Sequence, residues 1–292
     1  MASQPSILFL ITPSAKTVSD NWRCIPAAFE SQGWNVTRAL HDDILQTDTL
    51  RLPDGKMLTS FDMVWPIGFG PSHTFADRCS LLSLLPRRKL ITATHALQNR
   101  HAKNTWLKYG PRSLVGYQKR ELINYAQNHG GQWVLKTNAG SFGNNVHFID
   151  QADEIAGLLQ HHDDRYWVLQ RRIDSTAAEY CETRVLVCGD QIIGCYHRKA
   201  PSQGLANLSQ QGTAVACTLS GEEQQLVTQI MADFAQLDIG FGSVDIAQGL
   251  LIETNIANPG GLTTLRQIYG EAAYSRACAK LVKGARAFCK FE

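Results

Sequence analysis

Apolar residues fall in short runs along this chain, and the stretches between them carry a helical period. "SILFLIT" (6–12), "WNVTRAL" (34–40), "FDMVWPI" (61–67) and "KLITA" (89–93) each read as a strand. Between them, 19–33 reads as a helix opening at Ser19 or Asp20 and stopped by Gly33, and 72–85 as a helix ended by Pro86. Downstream, 98–109 and 118–129 predict helices. "QWVLKTN" (132–138), "VHFID" (146–150) and "YWVLQRRI" (166–173) predict strands, with a short helix over 153–160. "ETRVLVCGDQIIGCYHRKAP" (182–201) predicts a hairpin turning at Gly189-Asp190. A polar, glycine-containing loop covers 201–213. A helix over 221–237, a second hairpin and a helical tail over 271–291 close the chain. The alternation predicts an α/β fold. It divides into 1–92, which resembles a small Rossmann-like half, then 93–170 and 171–292.

The composition suits such a fold: 292 residues, 44% hydrophobic and 18% charged, enough for a large core. A net charge of +2, with Lys and Arg spread out, argues against nucleic acid as the main partner. The apolar run 7–11 is too short for a secretion-signal core, and no basic segment precedes it. Nothing approaches the roughly 20 apolar residues of a membrane span. The eight cysteines include no CxxC pair. We expect free thiols in a reducing cytoplasm.

Three oxygen-bearing side chains interrupt the second hairpin, "SVDIAQGLLIETNIANPGG" (243–261): Asp245, Glu253 and Asn255. Glu253 and Asn255 share a strand face. A three-residue loop over 248–250 would put Asp245 directly opposite Glu253; a two-residue loop would leave it diagonal. Two facing carboxylates repel, and a hard divalent cation removes the repulsion. Solvated charges on a half-exposed face are the alternative.

"VLKTNAGSFGNN" (134–145) sets Lys136 at a strand end before Gly140, Ser141 and Gly143. Small residues let backbone N–H groups approach phosphate oxygens, and lysine adds charge. A plain surface hairpin also fits these residues. The stretch is neither a P-loop nor a Rossmann fingerprint. "GFG" at 68–70 is a substrate-contact turn or plain punctuation. His197 fits a structural role.

Together these pieces resemble the ATP-grasp ligases, most closely bacterial glutathione synthetase and the related ribosomal-protein glutamate ligases. The likeness runs over 103–268 and more weakly over the first lobe. Its carriers are Lys103 and Lys136, the hairpin with Arg184 and Arg198, "LANLSQQGT" with Asn207, and the acid–acid–amide spacing of Asp245, Glu253 and Asn255. Departures lie in the glycine loop, in "PIGFGPSHTF" (66–75) and in "ANPGGLTTL" (257–265). The resemblance implies an ATP-grasp fold, a Rossmann-like lobe plus two sheet-containing lobes gripping ATP. Lys103, Lys136, Gly140, Ser141 and Gly143 would contact phosphates. The backbone of the hinge strand, with Gln170, Arg171, Arg172 and Ile173, would meet adenine. Arg184 and Arg198 would act on the transferred phosphoryl group. Asp245, Glu253 and Asn255 would hold two Mg²⁺ ions, with Mn²⁺ an alternative. Asn207, Asn258, Gly260 and Gly261 would meet substrate.

The implied reaction joins a small carboxylate to an amine, an amino acid or short peptide, through an acyl phosphate. A ligase acting on a protein C-terminus and a non-catalytic ATP-binding regulator are the alternatives. The tail offers an apolar stripe that could pack internally or on a twin subunit.

Overall fold

The computed structural model describes residues 4–12, 20–139, 145–160, 165–173, 181–199 and 212–290. Three principal sheets follow one another along the chain. In the first, β1 (Ser6–Ile11), β2 (Asn35–Leu40) and β5 (Met63–Pro66) are parallel in the order β2-β1-β5. A small ribbon, β3 (Leu45–Gln46) with β4 (Leu50–Arg51), lies between β2 and β5 in sequence. Helix α1 (Asn21–Ser31) connects β1 to β2, and α2 (Phe75–Leu82) follows β5. β1 is buried along nearly its whole length, as an uninterrupted apolar run demands.

The predicted strand "KLITA" does not form. Leu90 bridges Val64 of the first sheet, and Thr92 bridges Ile239 of the last sheet. The segment crosses from one sheet to the other, so neither ladder can extend along it. The helix expected over 98–109 is also split. Helix α3 (Thr94–Asn99) ends early, and a 3₁₀ helix over Lys103–Tyr109 follows after a break. That break lets the Lys103 N–H reach the carbonyl of Asn138 at 3.0 Å.

The second sheet is antiparallel, in the order β6-β9-β7-β8, from β6 (Ser113–Gly116), β7 (Trp133–Thr137), β8 (Val146–Ile149) and β9 (Trp167–Arg171). Helices α4 (Lys119–His129) and α5 (Glu154–Leu158) share an apolar core with it around Leu122, Trp133 and Trp167. The third sheet is also antiparallel, in the order β12-β11-β10-β13-β14. Its strands are β10 (Cys181–Cys188), β11 (Gln191–Lys199), β12 (Thr213–Val215), β13 (Phe241–Ala247) and β14 (Leu250–Asn255). The β10–β11 turn falls at Gly189-Asp190, as the sequence predicts.

Helix α6 (Gly221–Gln236) covers one face of this sheet with Val227, Ile230 and Phe234. It opens with a full capping box between Ser220 and Glu223. Glu223 also accepts from Thr183 Oγ1 of β10 at 2.7 Å, which ties the helix start to the sheet. Helix α7 (Leu262–Phe288), broken at Gly270, packs on part of the other face. The first and third sheets share one core. Trp65 meets Phe241 edge-on at 5.2 Å, and Phe9, Phe29 and Trp34 continue the aromatic stack. Among the described residues no helix is long and apolar enough to cross a membrane.

The tail seats against the β10–β11 turn with no spare room. A Cβ on Gly284 would lie 2.0 Å from the Cys188 carbonyl oxygen. Alanine is the better helix former by about 1 kcal/mol, but this overlap outweighs it. We expect Gly284→Ala to destabilise the fold by about 1–3 kcal/mol, read from the urea midpoint at unchanged m-value.

Candidate active site

The β13–β14 hairpin closes on the two-residue turn Gln248-Gly249, both with positive φ, and pairs Ala247 with Leu250 and Ile246 with Leu251. Continued unbroken, that register would set Glu253 against Val244 and send Asp245 to the other face. A bulge intervenes and leaves Ile252 as an extra residue. Asp245 therefore faces Glu253, and Ser243 faces Asn255. The three-residue loop that would give this pairing is absent. The bulge delivers it instead.

Asp245 is 2% exposed, and three arginine donors reach its carboxylate. Arg184, its cross-strand partner on β10, donates Nε to Oδ1 at 2.8 Å and Nη2 to Oδ2 at 2.7 Å. Arg198 on β11 places Nη2 2.9 Å from Oδ2 and 2.5 Å from Glu182 Oε2. Burial alone would raise the Asp245 pKa; Arg184 and Arg198 together hold it below the usual carboxylate range. Burial likewise opposes the charge on Arg184, and Asp245 more than offsets this and raises its pKa. Arg184 Nη1 also lies 3.5 Å from the Gly260 carbonyl oxygen.

Two lysines reach the hairpin from the side of the second sheet. Lys136, on β7, donates to Gln170 Oε1 at 2.9 Å and to the carbonyl oxygen of the bulge residue Ile252 at 3.2 Å. Burial, with Lys103 nearby, lowers its pKa to about 8. Lys103 pairs with Glu253 Oε1 at 3.1 Å. Asn138 holds the Lys103 turn: its Oδ1 accepts from the Asn104 N–H at 3.0 Å, and its Nδ2 donates to Asn104 Oδ1 at 2.9 Å. Between the sheets runs a slot lined by Trp106, Leu107, Gly110, Gln170, Leu251 and Ile252, with the two lysines and Glu253 at its rim. Gly110 permits the close approach of the two backbones there, since a Cβ would sit 2.9 Å from the Leu251 carbonyl oxygen.

The expected site residues divide in three. Lys103, Lys136, Gln170, Arg184, Arg198, Asp245, Glu253 and Asn255 converge. Arg171 and Arg172 turn elsewhere: Arg171 bonds the Gly130 carbonyl and lies over Trp133, and Arg172 lies over Phe148 near Asp150. Ile173 ends its described segment. Gly140, Ser141, Gly143 and Asn207 lie outside the described residues.

The segment after the hairpin is held from the first sheet. Asn21 Nδ2 donates at 2.8 Å to both Asn258 Oδ1 and the Pro259 carbonyl, and the Gly68 N–H donates to the Ala257 carbonyl at 3.0 Å. Gly261, with φ 146, starts α7 against Leu186 and Tyr196. Sequence reasoning missed Glu182, Asn138 and the Ile252 carbonyl. Glu182 stands two residues before Arg184 on the same strand face, so period two could have flagged it. The bulge left no local signal.

The donor set fits a hard dication. Arginines take three of the four carboxylate lone pairs of Asp245. Glu253 keeps its second oxygen beyond the Lys103 contact, and Asn255 Oδ1 accepts only long bonds, 3.2 and 3.3 Å, from the N–H groups of Ala257 and Asn258. Two carboxylates and an amide leave most of a magnesium ion's octahedron to phosphate and water. Four cationic side chains against the carboxylates of Glu182, Asp245 and Glu253 favour a polyanion. Among the described residues the buried Arg198 Nε has no hydrogen-bond partner.

Residues 100–270 match the ATP-grasp domain of prokaryotic glutathione synthetase. The chain belongs to that family. It is 28% identical over 169 residues to the glutathione synthetase of Anaplasma centrale, covering 56% of this chain and 54% of that one. It is 23% identical over 273 residues to the glutathione synthetase of Parasynechococcus marenigrum, covering 90% and 88%. Among solved structures, D-cycloserine synthetase DcsG superposes with a TM-score of 0.68 at 15% identity, covering 96% of this chain and 99% of that one. The fold of this ATP-grasp chain is therefore that of the ligases.

Asp245 contributes stability as a charged group. That contribution is fully present above pH 3.8 and is lost as pH falls through the lower value of the folded state. Asp245→Ala takes the carboxylate from Arg184 and leaves Arg198 with Glu182 alone, and is expected to destabilise by about 3–5 kcal/mol. Urea unfolding of both proteins should show the gap narrowing in acid.

Proposed function

We propose that this chain is an ADP-forming, ATP- and Mg²⁺-dependent carboxylate–amine ligase. One observation carries the reading: Arg184, Arg198 and the Asp245–Glu253–Asn255 oxygens share one face of the third sheet, and Lys103, Lys136 and Glu253 line the slot beside it. In this reading the backbone of the hinge strand at Gln170 meets the adenine, and Lys103 and Lys136 meet the phosphates. The substrate carboxylate attacks the γ-phosphorus. A bond forms from the acyl oxygen to phosphorus, and the bond to ADP breaks. The amine nitrogen then attacks the acyl carbon, phosphate leaves, and an amide results. The transition states carry negative charge and need positioning rather than a protein nucleophile. Arg198 and Arg184 supply fixed positive charge, with Asp245 holding both in place. Mg²⁺, as two ions or with Mn²⁺ in its stead, would supply Lewis acidity between phosphate and the Asp245, Glu253 and Asn255 oxygens.

The glutathione synthetase relatives support a short peptide or amino acid as acid and an amino acid as amine. Divisions near 92 and 170 are supported by the three sheets in succession. The ATP requirement and the free thiols support a cytoplasmic setting.

The test is ADP release from Mg-ATP with panels of amino acids and short peptides. Glu253→Gln and Arg198→Lys should each lower kcat by about 10²–10³, with Arg198→Lys losing the planar fork despite its charge. Unchanged ligation in the Asp245→Asn, Glu253→Gln double variant would overturn the reading.

Lys136 gives a pH signature. Its charged form pairs with phosphate, and it titrates at about 8. ATP affinity measured by calorimetry should fall as pH rises through about 8, because the amine becomes neutral. Lys136→Met should bind more weakly and without that step.

A further inference from the structure

Two thiols outside the candidate active site face each other at the edge of the third sheet. Strands β11 and β12 pair His197 with Val215, Arg198 with Ala214 and Lys199 with Thr213. Carried two residues further, the same register sets Cys195 opposite Cys217. The side chains meet there. Cys195 Sγ donates to the Cys217 carbonyl oxygen at 3.8 Å. The Tyr269 hydroxyl pins both backbones, 3.0 Å from the Cys195 carbonyl oxygen, 3.1 Å from that of Cys217 and 2.8 Å from the Cys217 nitrogen. Both cysteines are only half-buried, so a small oxidant has access.

We propose that Cys195 and Cys217 are a site of oxidative modification, closing to a cross-strand disulfide when the protein meets a peroxide. The Cys195 thiolate attacks one peroxide oxygen. The O–O bond breaks, hydroxide leaves as water after taking a proton, and Cys195 becomes a sulfenic acid. The Cys217 sulfur then attacks the Cys195 sulfur. The S–S bond forms, the S–O bond breaks, and a second water leaves. Two thiols lose two electrons and the peroxide gains them. The Cys217 hydrogen bond lowers the Cys195 pKa against the effect of burial, while the same bond and burial push Cys217 up.

The other thiols are placed less well. Cys79, Cys188, Cys278 and Cys289 are buried. Cys24 lies beside Tyr274 rather than opposite a thiol on a neighbouring strand. Cys181 sits opposite Lys199, toward the far end of β11 from Cys195. The link would lock the base of the β11–β12 connection, three residues from Arg198. It does not depend on the proposed reaction.

The test is non-reducing peptide mapping after treatment of the full chain with hydrogen peroxide. The expected result is one linked pair joining the tryptic peptides that hold Cys195 and Cys217, with two fewer titratable thiols, reversed by dithiothreitol. Cys195→Ser and Cys217→Ser should each abolish the link, with melting temperature confirming that both fold. Recovery of Cys195 as sulfinic acid with Cys217 still free, a link between other cysteines, or an unchanged thiol count would overturn the proposal.

Discussion

The Asp245 carboxylate sits almost wholly out of water, and isolated in that position it would be prohibitive. It persists because Arg184 and Arg198 converge on it from two neighbouring strands, with Glu182 completing the row. Each charge is compensated only while β10, β11 and β13 keep their register. The ionic row thus fixes the alignment of the sheet as firmly as the apolar face beneath α6 does. It also leaves guanidinium groups oriented before any ligand arrives, which lowers the reorganisation needed when negative charge develops nearby.

A second constraint acts between sheets. Lys136 belongs to the second sheet but bonds the Ile252 carbonyl of the third, and Gln170 holds it from β9. Lys103 reaches the same hairpin through Glu253, on a turn held by Asn138. Both lysines thus sit at the seam between the two sheets. The apolar slot opens along that seam, so its width depends on how the sheets are spaced.

Much of this was legible in the sequence. Period two put Glu253 and Asn255 on one face, and the apolar neighbours of Asp245 signalled burial. The hairpin turns at Gly189-Asp190 and Gln248-Gly249 were readable from glycine. The misses share a cause. "KLITA" has strand composition, but its partners lie in two sheets, and local pattern carries no information about distant pairing. The helix over 98–109 is interrupted where the Lys103 N–H turns to the Asn138 carbonyl, which is remote in sequence. Arg171 and Arg172 are a different case: the expectation there concerns the strand's backbone, and their side chains lie over Trp133 and Phe148.

The bulge at Ile252 has an evolutionary reading. Strand faces have parity, odd or even, and an extra residue switches it. Every side chain of β14 beyond Ile252 owes its face to that one insertion. Point substitutions can tune Glu253 or Asn255, but none can move them across the sheet. Only gain or loss of a whole codon between the turn and Glu253 does that. A lineage of this chain can therefore lose the three-oxygen cluster in one step. It can recover the cluster only by restoring chain length, not by gradual adjustment of side chains.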